Sequence, residues 1–196
     1  MASRTAWELT THKVNTYAYY NNVFDDMLEN ILMHGDSLYL SNATVGGKED
    51  YIDDSKIRKT KVAWIDGSKE TAPLFARLTN IINIANKDWF NVDLTSIEQL
   101  QYTVYEKGDF YDQHIDHMYE EVGSLTRKLS FVLQLSDPSD YDGGNTELIA
   151  GPEPHSIPKE KGTITFFPSY VLHKVTPITR GTRKALVGWV RGPKWK

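Results

Sequence analysis

Residues 111–120 read YDQHIDHMYE, which puts His114, Asp116 and His117 within four consecutive positions. Imidazole and carboxylate are ligand types for first-row transition metals. The chain contains no cysteine, so any such metal must rest on His and carboxylate. The same absence excludes disulfides, thiolate zinc sites, iron–sulfur clusters and cysteine nucleophiles. Which of the three residues can share a metal depends on the backbone. On a strand, side chains two apart lie on one face, so His114 and Asp116 pair and His117 points away; on a helix His114 and His117 pair instead.

The surrounding elements decide between these cases. From about residue 98 the chain consists of short β-prone runs, LQYTVYE, RKLSFVLQLSD, NTELIAG, GTITFFP and TRKALVGWVRG, separated by Gly, Pro, Asp and Ser clusters. Tyr141–Asn145, YDGGN, is a turn signal, and a turn at Lys107–Gly108–Asp109 separates a strand ending near Tyr105 from one carrying His114. In that setting His114 and Asp116 are the pair. Many short strands at close spacing predict a sandwich, barrel or jelly roll.

The first half is different. Val23, Phe24, Met27, Leu28, Ile31 and Leu32 recur at helical spacing, with Gly35 as a terminator. Pro73 suits a first helical turn, and Leu74, Leu78, Ile81, Ile82 and Trp89 make an apolar stripe. IRKTKVAWI alternates as a strand, whereas VGGKEDYIDDSK is polar and glycine-rich and reads as a mobile loop. Helices first and strands afterwards predict an α+β, mainly β protein with the helices packed on one side of the β unit.

Two ligands hold a transition metal poorly, and a third must come from elsewhere. His12 lies in a ragged terminus, His34 at a helix end where the dipole favours it, and His155 between prolines in a loop. His173, in the apolar run TITFFPSYVLHKVTPI, is the remaining candidate. Alone it reads as a core histidine satisfied by hydrogen bonds; joined to His114 and Asp116 it completes two imidazoles and a carboxylate. That set occupies one face of an octahedron and leaves three positions for co-substrate and oxygen, the arrangement of non-haem Fe(II) oxygenases. Zinc is the rival metal, but the helical HExxH pattern of zinc hydrolases is absent.

Composition sets the outer bounds. With 196 residues, 40% hydrophobic and 24% charged, the chain suits one domain with a real core. A net charge of -4 argues against a nucleic-acid partner. The start lacks the apolar run of a signal peptide and no long apolar stretch follows, so a soluble, cytoplasmic protein without membrane contact is expected.

The stretch after His173, HKVTPITRGTRKALVGWVRGP, adds Arg183 ten residues on, at the start of a strand. Taken with LQYTVYEKGDFYDQHID, RKLSFVLQLSDP and YDGGNTEL, roughly residues 97–193 resemble the Fe(II)/2-oxoglutarate-dependent dioxygenases, in the prolyl 4-hydroxylase-like branch that includes the PKHD-type hydroxylases. The resemblance implies a double-stranded β-helix (a cupin-like jelly roll) over 98–193, with 1–97 as helical support and strands within a single 1–196 domain. It implies that His114, Asp116 and His173 bind Fe(II) and that Arg183 meets the distal carboxylate of 2-oxoglutarate. Tyr105 then matches a tyrosine that hydrogen-bonds the co-substrate, with core packing as its plainer alternative, and Thr146 is a looser match to another contact. Tyr111 and Trp189 match aromatics lining the substrate mouth. Arg180, beside Gly181 in a turn, competes with Arg183 but is expected to be exposed.

The activity implied is hydroxylation coupled to conversion of 2-oxoglutarate and O2 into succinate and CO2, with ascorbate as an accessory reductant. The expected substrate is a prolyl residue in a peptide or protein, and the runner-up is a free amino acid or other small molecule. A loop at Gly46–Gly47 is expected to close over the peptide.

Overall fold

Leu100–Tyr105 is buried at every position, and its two faces divide by parity as a strand requires. Leu100, Tyr102 and Val104 belong to the main apolar core, whereas Gln101, Thr103 and Tyr105 face the opposite side. The same alternation sorts the strands beside it, and it organises the molecule. The computed structural model describes residues 16–43, 56–117 and 125–195. His12 and Gly46–Gly47 therefore lie outside the described residues.

The elements run in this order: β1 (Ala18–Tyr20), α1 (Leu28–Ser37), β2 (Ser41–Asn42), β3 (Arg58–Lys59), β4 (Lys61–Ile65), α2 (Ala72–Ala85), β5 (Ser96–Ile97), β6 (Leu100–Tyr105), β7 (Phe110–His114), β8 (Leu125–Gln134), β9 (Tyr141–Gly143), β10 (Thr146–Ile149), β11 (His155–Ser156), β12 (Ile164–Pro168), β13 (Leu172–Val175), β14 (Ile178–Gly181) and β15 (Arg183–Pro193). The larger sheet is ordered β1-β12-β8-β15-β6-β4-β2, with β5 also pairing β15. The smaller is ordered β11-β10-β13-β7-β3, and β14 pairs β9 in a two-stranded ribbon. All these pairings are antiparallel. This is the expected jelly roll with helices on one side.

The helices cover the outer face of the larger sheet. Leu28 and Ile31 of α1 and Leu74, Leu78, Ile81 and Ile82 of α2 share a core with Leu100, Tyr102, Leu129, Phe131, Leu133 and Leu186. Each such side chain removed from water contributes roughly 1.5–3 kcal/mol. Between the sheets, Val132, Leu148, Phe167, Val171 and Ala185 form a second apolar cluster, and the rest of the inter-sheet space is a cavity.

Some sequence expectations are corrected. Gly35 does not end its helix: α1 runs on to Ser37, and a Cβ at Gly35 would sit 2.4 Å from the Tyr102 ring. Glycine is there for close packing of helix on sheet. Val23, Phe24 and Met27 precede α1 as turns rather than forming its first half. Trp89 falls in a π-helical turn, Asn86–Phe90, where the phase of the stripe slips; it is 48% exposed and donates to the Tyr20 hydroxyl at 3.0 Å. His155 stands in a two-residue strand, β11, although exposed as expected. IRKTKVAWI is not one strand: it breaks at Thr60, so that β3 joins the smaller sheet and β4 the larger. The YDGGN turn is present, with Gly143 at φ 77° and Gly144 at φ 59°, conformations that side chains rarely take.

Candidate active site

His114 and His173 meet because β7 and β13 are neighbours in the smaller sheet, with His114 directly across from His173. Their ring centroids are 4.1 Å apart. In each ring Nδ1 lies against the carbonyl two residues earlier, Asp112 O at 2.7 Å for His114 and Val171 O at 2.9 Å for His173. A carbonyl can only accept, so Nδ1 carries a proton in each ring, and in the neutral ring Nε2 presents its lone pair. Asp116 follows just past the end of β7, where its N–H and that of His117 both donate to Ser169 O at 2.9 Å. Its carboxylate lies 3.7 Å from His114 Nε2 and 3.4 Å from His173 Nε2. Ser130 Oγ donates to Asp116 Oδ2 at 2.7 Å and contacts Ser169 Oγ at 3.0 Å.

One ligand atom from each of His114, Asp116 and His173 lies within 4.8 Å of the other two. Two nitrogen lone pairs and a carboxylate thus converge with no proton between them, which is repulsive unless a cation stands there. Burial, followed by the field of His173, pulls His114 down to about 4, so that its imidazole is neutral at neutral pH. Burial works to raise the Asp116 carboxyl, but His173, His114, Ser130 and Trp189 outweigh it and hold the carboxyl below its usual range. Two neutral imidazoles and one carboxylate suit a divalent first-row metal. His117 is outside this cluster, with Nδ1 3.2 Å from Thr126 Oγ1 and 3.4 Å from Arg127 O; the strand expected to carry Asp116 ends at His114, so residues 115–117 lie beyond it.

The cluster opens into a cavity of about 450 Å³ between the sheets, a volume in the range of small-molecule sites. Arg183, 2% exposed, enters from β15 beside its cross-strand neighbour Tyr105. Its Nη2 donates to Gln134 Oε1 and Thr146 Oγ1, both at 3.1 Å, and its Nε is buried without a partner. It makes no ion pair among the described residues. A guanidinium fork so placed fits an incoming carboxylate. Arg180 is exposed and paired with Asp142 at 2.6 Å, away from the cavity lining.

Tyr111 and Trp189 line the same cavity, but Tyr111 is sandwiched and Trp189 is covered on one face. The Tyr111 ring stacks on His114 with centroids 3.4 Å apart and has the Arg58 guanidinium 4.4 Å above it. Burial raises its hydroxyl to about 12. The Arg127 guanidinium lies 3.9 Å over Trp189, whose Nε1 is buried near Asp116 without a hydrogen bond of ordinary geometry. Trp64 of β4, 45% exposed, is the aromatic that reaches outward, 6.2 Å from Trp189.

Sequence reasoning missed Arg58, Arg127, Ser130, Gln134 and Trp64. A signal existed for two of them: Ser130 and Gln134 are polar residues two steps either side of Val132 in the mostly apolar second half of β8, hence on the same face as Val132. No sequence pattern marks the other three.

Comparison with known proteins gives the same picture. The family model of the 2OG-Fe(II) oxygenase superfamily matches residues 100–191. A PKHD-type hydroxylase of Prochlorococcus marinus is 30% identical over 156 residues, which is 69% of each chain. A prolyl-4-hydroxylase of Pseudomonas putida superposes with a TM-score of 0.71 at 22% identity, covering 91% of this chain and 94% of its own. A prolyl hydroxylase of Trichoplax adhaerens, in complex with a hypoxia inducible factor oxygen degradation domain peptide fragment, gives 0.67 at 20% identity, covering 90% and 83%. These two likenesses establish the fold. The superfamily's cofactors are Fe(II), 2-oxoglutarate and O2, and the protein is an oxidoreductase. Family match, relatives and donor chemistry coincide, and the chain belongs to the 2OG-Fe(II) oxygenase superfamily, with the PKHD-type hydroxylases among its relatives.

Proposed function

We propose that the protein hydroxylates a prolyl residue in a peptide or protein, with succinate and CO2 as co-products. His114, Asp116 and His173 hold Fe(II), and Arg183 receives the distal carboxylate of 2-oxoglutarate, with Tyr105 and Thr146 beside it. The observation that carries this reading is the pair of preset tautomers: both Nε2 lone pairs aim at one carboxylate, at the end of a cavity that also holds a buried, unpaired arginine. Bound iron supplies the oxidising chemistry. The chain's own residues fix the ligands, orient the co-substrate through Arg183 and exclude water with the apolar walls Val132, Phe167 and Val187. The prolyl assignment is supported by the fold neighbours, one of them bound to a peptide. Tyr111 and Trp189 line the part of the cavity assigned to the substrate. In this reading 1–97 supports the 98–193 jelly roll within one domain. No helix among the described residues is long and apolar enough to cross a membrane.

Incubation with Fe(II), 2-oxoglutarate and pools of peptides or small molecules, read by succinate release and by a mass gain of one oxygen, tests the reading. Proline-containing peptides are expected to gain oxygen on the ring, and free L-proline to do so poorly. Robust oxidation of free proline with inert peptides would move the assignment to a small-molecule hydroxylase and leave the oxygenase chemistry in place.

A further inference from the structure

Three arginines border the cavity, and they differ in how their charge is met. Arg127 is clamped by Glu98 through two bonds of 2.8 Å. Arg183 faces the space assigned to the co-substrate. Arg58 is only 8% exposed, and among the described residues no carboxylate pairs with it. Its Nη2 donates to Gln101 Oε1 at 2.8 Å, its plane lies over Tyr111, and its Nε is buried with no partner. The neighbouring acid is committed elsewhere, since Asp109 pairs with Lys59 at 3.2 Å. An arginine serving only to tie strands together would be satisfied as Arg127 is; a guanidinium has five N–H donors, and a buried cation left unpaired is costly.

The charge of the loaded site points the same way. A divalent metal and a dianionic co-substrate cancel, and Asp116 offsets Arg183, so the positive charge of Arg58 is left over. Its place is also informative. Arg58 is the cross-strand partner of Tyr111, whose ring stacks on His114, so a group bound at Arg58 is one ring away from a metal ligand.

We propose that Arg58 receives a carboxylate of the substrate, held beside the carbon to be oxidised. The assignment rests on the oxygenase reading of the site. The carboxylate belongs either to the target residue itself, as its α-carboxylate, or to an acidic side chain next to it. Both present the same planar anion to the same fork.

Calorimetry on the protein loaded with Mn(II) and 2-oxoglutarate tests this without turnover. N-acetyl-L-proline against N-acetyl-L-prolinamide probes the α-carboxylate, and N-acetyl-Asp-Pro-amide against N-acetyl-Asn-Pro-amide probes the side chain. In at least one pair the acid should bind roughly tenfold or more tightly than its neutral partner. Arg58→Gln, which keeps a donor for Gln101, should bring that ratio to about one, and Arg58→Lys should restore part of it. Unchanged 2-oxoglutarate affinity in Arg58→Gln shows that the fold is intact. Equal binding of acid and neutral members in both prolyl pairs and in a third pair, N-acetyl-L-leucine and its amide, no binding by any of the acids, or a preference that survives Arg58→Gln overturns the proposal. N-acetyl-L-leucine and its amide separate the two readings. An Arg58-dependent acid preference there, without one for the prolyl probes, upholds Arg58 and removes the prolyl assignment. Prolyl peptides oxidised with no acid preference do the reverse.

Discussion

Each imidazole of the triad spends its Nδ1 proton on a carbonyl of its own strand or loop, so ligand orientation is set by backbone rather than by other side chains. Asp116 depends instead on Ser130, whose hydroxyl fixes one carboxylate oxygen and leaves the other for the metal. Ser130→Ala should therefore weaken Mn(II) or Fe(II) binding by about 10–100-fold while the protein still folds, which a metal titration would measure; unchanged affinity would mean the carboxylate is oriented without it. Ala at His114, Asp116 or His173 should abolish iron-dependent 2-oxoglutarate turnover, and His117→Ala should retain it. If His117→Ala loses metal as His114→Ala does, the orientation of residues 114–117 is wrong. Arg183→Ala should cost about 2 kcal/mol of 2-oxoglutarate binding, roughly thirtyfold, with metal affinity nearly intact. Arg180→Ala, at an exposed ion pair, should change neither. A large loss of co-substrate binding in Arg180→Ala would transfer the role to it.

Element by element, legibility in the sequence followed periodicity. Strand alternation, carried past the actual end of β7, paired His114 with Asp116, and the β-prone runs pointed to a sandwich, barrel or jelly roll, which the family resemblance narrowed to the last. α2 was equally plain, with Pro73 in its first turn and Leu74, Leu78, Ile81 and Ile82 buried. Where a local pattern served two sheets at once, reading failed. IRKTKVAWI alternates well enough for one strand, yet no local rule says that the chain changes sheets at Thr60, and so Arg58 was not placed in the cavity. Gly35 failed for the opposite reason, since a residue chosen for the absence of a side chain looks like a terminator until its neighbour is known. Gly35→Ala, although alanine favours helix by about 1 kcal/mol, should destabilise by a net 1–3 kcal/mol in urea unfolding, roughly the cost of overpacking; a stabilised variant would refute the close approach to Tyr102. Glu98 ties β8 to β15 through Arg127 and Arg191. Burial works to raise its carboxyl, and the two arginines more than reverse this, leaving the folded value below the ordinary 4.5. Its contribution is then present above pH 4.5 and is lost as pH falls through the folded value. Glu98→Gln should cost about 2 kcal/mol at neutral pH and lose less than the wild type on acidification below that point. Parallel acid limbs in the two proteins would disprove the linkage.

For the molecule as a whole, the three ligands come from β7, its following loop and β13, so a bound metal fastens segments that the unfolded chain keeps far apart. Mn(II) at about a hundred times its dissociation constant should by itself add roughly 2.7 kcal/mol, about 5–10 °C in Tm for a chain of this length. Differential scanning fluorimetry should show the shift in the wild type and none in Asp116→Ala; a shift of equal size in both would place the stabilising ion elsewhere. The position of β15 has a consequence in time rather than in space. It is the last strand in sequence yet lies inside the larger sheet, between β8 and β6, and it brings Arg183 and Trp189 with it. Until residues 183–193 have emerged from the ribosome, β6 and β8 have no shared neighbour and the cavity lacks a wall. Assembly of the site therefore waits for nearly all of this sequence to be synthesised. A nascent chain halted before Arg183 would offer two unzipped strand edges to chaperones, and no partial enzyme.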